Sequence, residues 1–313
     1  MHRSLTRFSA FIVLLGLAAL AVFCVVVTRG VVAAAEQGEA KPAPSYIGSE
    51  QCLACHADQG KKMEKTPHGE ILLRRPRTNL EKRGCEACHG PGSAHIEDPA
   101  STAARGPFGK GAKATAREQT AKCLQCHNKG EHLFWKGSPH ELRNVACTQC
   151  HSVHSPVAAE NQLTKKTESE LCSQCHVVKK AQLQRTSHMP VREGKMTCSD
   201  CHNPHGSVTA KMIRANSVNE NCYKCHAEKR GPVLWEHPPV VENCLNCHDA
   251  HGSIHDKLLK VKRPRLCQQC HVGNRHPTEP HDPKTRYIFN RGCLNCHTQI
   301  HGSNHPSGEL FLR

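Results

Sequence analysis

Ten times along the chain two cysteines stand three positions apart with a histidine directly behind the second. The stretches are 52–56, 85–89, 123–127, 147–151, 172–176, 198–202, 222–226, 244–248, 267–271 and 293–297. Cys-x-x-Cys-His is the attachment signature of a c-type haem: two thiols add across the vinyl groups and the histidine ligates the iron from one face. The candidate thioether residues are Cys52, Cys55, Cys85, Cys88, Cys123, Cys126, Cys147, Cys150, Cys172, Cys175, Cys198, Cys201, Cys222, Cys225, Cys244, Cys247, Cys267, Cys270, Cys293 and Cys296. The candidate proximal ligands are His56, His89, His127, His151, His176, His202, His226, His248, His271 and His297. One such motif could be a zinc knuckle or a redox dithiol. Ten are harder to read that way, because neither zinc sites nor a disulfide framework need a histidine behind every second cysteine.

A second set of histidines matches the first in number. The motifs fall into five two-motif units, at about 52–95, 123–154, 172–205, 222–251 and 267–301. Each unit carries one histidine upstream of its second motif and one just downstream. These are His68 and His95, His140 and His154, His188 and His205, His237 and His251, and His281 and His301. Ten distal candidates for ten irons predict two histidines on every iron. His276 is a rival to His281, and His132 a weaker rival to His140. His2, His255 and His305 complete the spare set. A histidine three residues behind the proximal one reaches the far face of its own haem poorly. The downstream histidine is therefore expected on the first haem of its unit, and the upstream histidine on the second.

The elements that position these residues are sparse. The chain has 313 residues, with 21 cysteines, 25 histidines, 4% aromatic residues and 37% hydrophobic residues. A conventional core uses more large apolar side chains, so haem must fill the interior. The expected fold is a multihaem cytochrome c: mostly irregular chain with short α-helices wrapped around a linear stack of ten haems, with little or no β-structure. Exposed apolar residues should be few. Residues 98–117, rich in Ala, Gly and Lys, read as an exposed loop or flexible linker.

The N-terminus is an export signal. A basic start is followed by the apolar run from Phe8 to Val27 and by Ala33, Ala34 and Ala35 as a cleavage site. Residues 1–35 are the signal peptide, with an uncleaved anchor as the alternative because the run nears the ~20 residues that span a bilayer. Residues 36–46 are a flexible lead-in, and 47–313 the decahaem domain. Cys24 lies inside the signal and is a bland apolar residue. The formal charge of +15 falls to +12 without the signal, and twenty propionates would turn it to about −8. Lys and Arg then serve as propionate partners, and nucleic acid is not the expected partner.

Two histidines on an iron leave no open position, so such a haem passes electrons and does not bind substrate. Met189 or Met196 could replace a histidine, although the histidine count leaves no need for it. A reductase requires an open iron, often marked by an altered motif such as Cys-x-x-Cys-Lys; every motif here ends in histidine. A soluble periplasmic shuttle is the other alternative. Ten haems on so short a chain nearly touch, and a stacked row of ten exceeds the ~40–45 Å of a membrane with its headgroups.

The stretches YIGSEQCLACH (46–56), GCEACHGPGSAH (84–95) and GCLNCHTQIHGSNHPSG (292–308) closely resemble the decahaem cytochromes of the MtrA/DmsE type. The resemblance covers nearly all of the exported region. It implies a periplasmic, non-enzymatic electron carrier that inserts into an outer-membrane β-barrel porin. Its partners would be that porin, an extracellular multihaem cytochrome or reductase, and a periplasmic or inner-membrane cytochrome as donor.

Overall fold

Gly, Pro, Asn and Ser recur between the motifs, and each stops a helix for its own reason. In the computed structural model, which describes residues 42–109, 111–272 and 292–312, helices are accordingly short. The stretch 1–35, read as a signal peptide, lies outside the described residues. The chain divides after Ser45, and Tyr46–Arg313 forms one unit. The longest helix in it, α1 (Ser49–Met63), carries Glu50 in its first turn and Lys61 and Lys62 in its last, each complementing the helix dipole. Its backbone breaks at His56, the motif histidine (φ −110°, ψ 35°). The next, α2 (Ala116–Leu124), is started by a capping box between Thr115 and Glu118 and ends one residue past Cys123, the first cysteine of its unit. Thr167 and Ser217 cap the shorter helices that lead into the 172–176 and 222–226 motifs. Second motifs occupy single turns, such as Cys85–His89 and Cys147–Cys150.

No sheet forms among the described residues; pairing is limited to isolated antiparallel bridges. Leu163, Ile213 and Leu259 bridge back to His151, His202 and His248. Two left-handed residues precede each of them: Asn161 and Gln162, Lys211 and Met212, Lys257 and Leu258. Left-handed backbone costs a non-glycine residue roughly 1–2 kcal/mol, so a repeated pair of them needs a reason, which the histidine sites supply.

The buried apolar set among the described residues is small: Met63, Trp135, Ala146, Leu163, Leu183 and Leu259. No large side chain there is fully buried. That fits an interior reserved for something other than side chains. The polypeptide by itself leaves Leu142, Val208, Leu234, Ile254 and Val272 each more than 70% exposed, which suits an interior that side chains alone do not fill. In the segment 98–117, residues 98–100 and 102 are exposed, as a loop would be, but the middle packs against the chain. Residues 104–108 are half-buried, and Phe108 meets the His89 ring edge-on at 5.7 Å. An Ala- and Gly-rich composition described what the segment could do, not the aromatic contact that holds it.

Consecutive units dock through the loops behind the downstream histidines. Ser253 pairs with Ser187 of the preceding unit, and Ser303 with Trp235. Glycine makes the approach possible. A Cβ on Gly206 or Gly252 (φ +111° and +147°) would stand 2.1 Å from the carbonyl oxygen of Phe134 or Gln182. Gly252→Ala should therefore destabilise the holoprotein by about 2–3 kcal/mol, strain and clash together. Gly130→Ala, at φ +57° with nothing within 4 Å of its Cβ, should cost only about 1 kcal/mol. Thermal unfolding of the two variants checks the difference.

Candidate haem sites

The cysteines form a continuous row in chain order. All twenty in the motifs are free thiols, and no disulfide joins them. Inside each unit the first cysteines of the two motifs lie side by side, close enough that one thiol raises the other: Cys52 beside Cys85, Cys123 beside Cys147, Cys172 beside Cys198, Cys222 beside Cys244, Cys267 beside Cys293. Between units the second cysteines are neighbours. Burial raises the Cys88, Cys150, Cys201 and Cys247 thiols, and the approach of Cys126, Cys175, Cys225 and Cys270 raises them further. Each motif thus lies beside the one before it and the one after it, from 52–56 to 293–297.

The imidazoles stand in facing pairs. Two imidazoles on opposite faces of one metal ion, bonded at ~2 Å through nitrogens ~1 Å from the ring centre, keep their centres about 6 Å apart. Eight pairs meet this spacing. His56 faces His95 at 6.2 Å, His89 faces His154 at 6.2 Å and His127 faces His68 at 5.9 Å. His151 faces His205 at 6.0 Å, His176 faces His140 at 6.2 Å and His202 faces His251 at 6.0 Å. His248 faces His301 at 6.3 Å and His271 faces His237 at 6.2 Å. In each pair one ring belongs to a motif and the other to the distal set, so the residues fit a haem iron between them.

The partners are not those expected within a unit. Only His95 faces the first motif of its own unit. His154, His205, His251 and His301 each face the second motif of the preceding unit, and His68, His140 and His237 the first motif of the following one. Neighbouring units therefore exchange imidazoles reciprocally. The docking explains it: His140 Nδ1 donates to Pro204 O at 2.7 Å and His237 Nδ1 to Ile300 O at 2.9 Å. Those carbonyls sit directly before His205 and His301, so each crossing histidine holds the other's loop.

Motif histidines are oriented the same way. His151 Nδ1 donates to Asn161 O (2.6 Å), His202 to Lys211 O (2.9 Å), His248 to Lys257 O (2.8 Å), and His297 to Leu310 O. The first three carbonyls belong to the left-handed pairs, which turn them onto the ring. An engaged Nδ1–H leaves Nε2 as the metal-binding nitrogen. Burial also keeps the rings neutral, the form that ligates. It pushes His205 down to about 4, helped by His132 and His151, and lowers His68, His89, His251 and His301 as well. These carbonyl anchors were not legible in the sequence. They recur nine or ten residues behind the histidine, but backbone carbonyls have no residue signature.

Three further histidines among the described residues have contacts of another kind. His132 lies 4.2 Å from His205 and 5.5 Å from His127, wedged between two pairs and not in place of His140. His188 Nε2 meets Glu193 at 3.1 Å, while its Nδ1 donates to Arg185 O. His226 contacts Glu228 at 3.5 Å. His276 and His281 lie outside the described residues.

Among known proteins, a doubled CXXCH motif family matches residues 188–231 and 237–276. A family of NrfB-like c-type cytochromes matches 85–175, and the cytochrome c554 and c-prime family matches 27–90. The multihaem cytochrome MtrA of Shewanella baltica is 46% identical over 281 residues, 85% of this chain and 81% of its own. Cytochrome c-554 of Nitrosomonas europaea is 31% identical over 34% of this chain and 46% of its own. The c-type cytochrome NrfB of Escherichia coli is 28% identical over 40% of this chain and 63% of its own. With its row of motif cysteines, its paired imidazoles and this similarity along most of its length, the chain belongs to the MtrA family of multihaem c-type cytochromes, which transfer electrons through covalently bound haem.

Proposed function

We propose that the chain holds ten haems in chain order, each between two histidines, and carries electrons from one end of the row to the other. The observation that carries this reading is the unbroken succession of neighbouring motif cysteines from Cys52 to Cys293. The haem supplies a reversible one-electron couple. The polypeptide fixes two imidazoles per iron, excludes substrate from the metal and keeps neighbouring sites adjacent. The repeat assigns His188 to the 222–226 site and leaves His281 or His276 for the 293–297 site. Buried Trp135, whose indole N–H has no acceptor, would donate to a haem carboxylate.

A row of ten sites suits transfer across a barrier. The similarity to MtrA, together with the export signal, supports a periplasmic carrier seated in an outer-membrane β-barrel porin. It would join a periplasmic or inner-membrane cytochrome donor to an extracellular cytochrome, reductase or mineral acceptor. Reductase chemistry is not expected, because two histidines close each iron.

Electron paramagnetic resonance of the oxidised holoprotein should count ten low-spin haems and no stoichiometric high-spin haem. In His154→Ala one haem should become high-spin and open to peroxide. Mapping the bleached haem peptide should place the damage on 85–89; damage on 123–127 would restore ligation within the unit. Transport is tested separately. The protein should co-purify with an outer-membrane barrel, and vesicles holding the pair should reduce an enclosed dye from an external reductant. Dye reduction equal to that of vesicles holding the barrel alone would leave the soluble-shuttle reading.

A further inference from the structure

The second motif is the only one with an acid directly behind its first cysteine, Glu86. Its side chain is buried, 3% exposed. Both carboxylate oxygens accept hydrogen bonds, all from backbone N–H groups. Ile47 donates to Oε1 and Oε2 at 3.0 and 3.1 Å, Gly48 to Oε2 at 2.8 Å and Gly92 to Oε1 at 2.8 Å. Donors at both oxygens are the surroundings of an ionised carboxylate, since a protonated oxygen would turn a hydrogen toward an N–H. Among the described residues no ion pair involves Glu86. The charge is thus held by amide dipoles and by the N-terminus of α1, with no neutralising cation.

Its position is the joint between the first two sites. Gly48 is the N-cap of α1, the helix that carries the 52–56 motif. Cys85 N–H donates to Ser49 Oγ at 3.1 Å from the same helix start. The Cys52 thiol is raised by burial, then by Cys85, then by Glu86 itself. The carboxylate therefore lies within electrostatic reach of the attachment points of both sites.

We propose that Glu86 sets the redox potential at this end of the row. A fixed negative charge in a poorly solvated joint favours the more positive, oxidised iron over the reduced one. It holds the 52–56 and 85–89 sites at lower potential than they would otherwise have. The step concerned is the uptake of one electron from an electrode by one iron, with no bond made or broken. Glu86 acts as a positioning and tuning residue, and the proposal rests on haem binding at these two motifs.

The test is spectropotentiometric titration of the whole holoprotein, with haem content measured first. Glu86→Gln keeps the shape and removes the charge. One or two of the ten components should shift positive by at least a tenfold change in the reduction equilibrium, about 59 mV for one electron, with the others unmoved. Ser49→Ala loosens the same joint without altering charge and should leave the potentials in place. A fully loaded Glu86→Gln protein with wild-type potentials would overturn the proposal, as would an equal shift in Ser49→Ala. If Glu86→Gln loads incompletely, Glu86→Asp decides. Wild-type potentials with the charge retained support tuning by charge, and a positive shift there overturns it. Loss of haem from 52–56 or 85–89 in the wild-type protein would instead fail the underlying haem assignment.

Discussion

The exchange of imidazoles between neighbouring units is the constraint on which the rest of the structure depends. A second-motif histidine faces a ring from the next unit, and that unit's first-motif histidine faces a ring from the one before. Neither imidazole pair can form until two units are docked. The docking contacts are accordingly close: glycine against carbonyl, a two-residue bridge, and an Nδ1–H bound to the carbonyl directly before the crossing ligand. The left-handed pairs behind the second motifs belong to the same arrangement. Strain there is retained because one carbonyl must meet a motif ring.

This coupling explains how a chain with so few buried apolar side chains keeps one arrangement. Local helices are too short to be stable alone, and caps such as the Thr115–Glu118 box only define where they start. Order comes instead from many connections between neighbouring units, among the described residues. Architectures of this kind have stability that propagates from repeat to repeat. The ends must differ. At the first site, with no preceding unit, His95 turns back onto His56, and residues 104–108 fold against His89 where other units present a carbonyl loop.

A row of sites in chain order also has a functional consequence. Motifs adjacent in sequence are also adjacent in space, so a path along the row needs no long-range folding to be continuous. Differences along it must arise from local surroundings. The buried Glu86 joint at one end and the His132 wedge between two imidazole pairs are the kind of local feature that makes sites unequal.

Motif spacing alone determined the cofactor chemistry, the proximal histidines, the five-unit repeat and the sparse secondary structure, because covalent attachment is written in contiguous residues. Eight of the ten expected distal histidines do stand opposite a motif ring, whereas His188 meets Glu193 and His281 lies outside the described residues. The partners of the eight were not legible in the sequence. Chain distance suggested that a ligand serves its own unit, yet His154 faces His89 and His68 faces His127. A ring near the second motif cannot round its own haem, while docking brings the neighbouring unit's open face to it. The carbonyl anchors, the packing of 104–108 and the burial of Glu86 were likewise decided only in three dimensions. Each depends on a backbone group or a contact between units, and neither is carried by residue type.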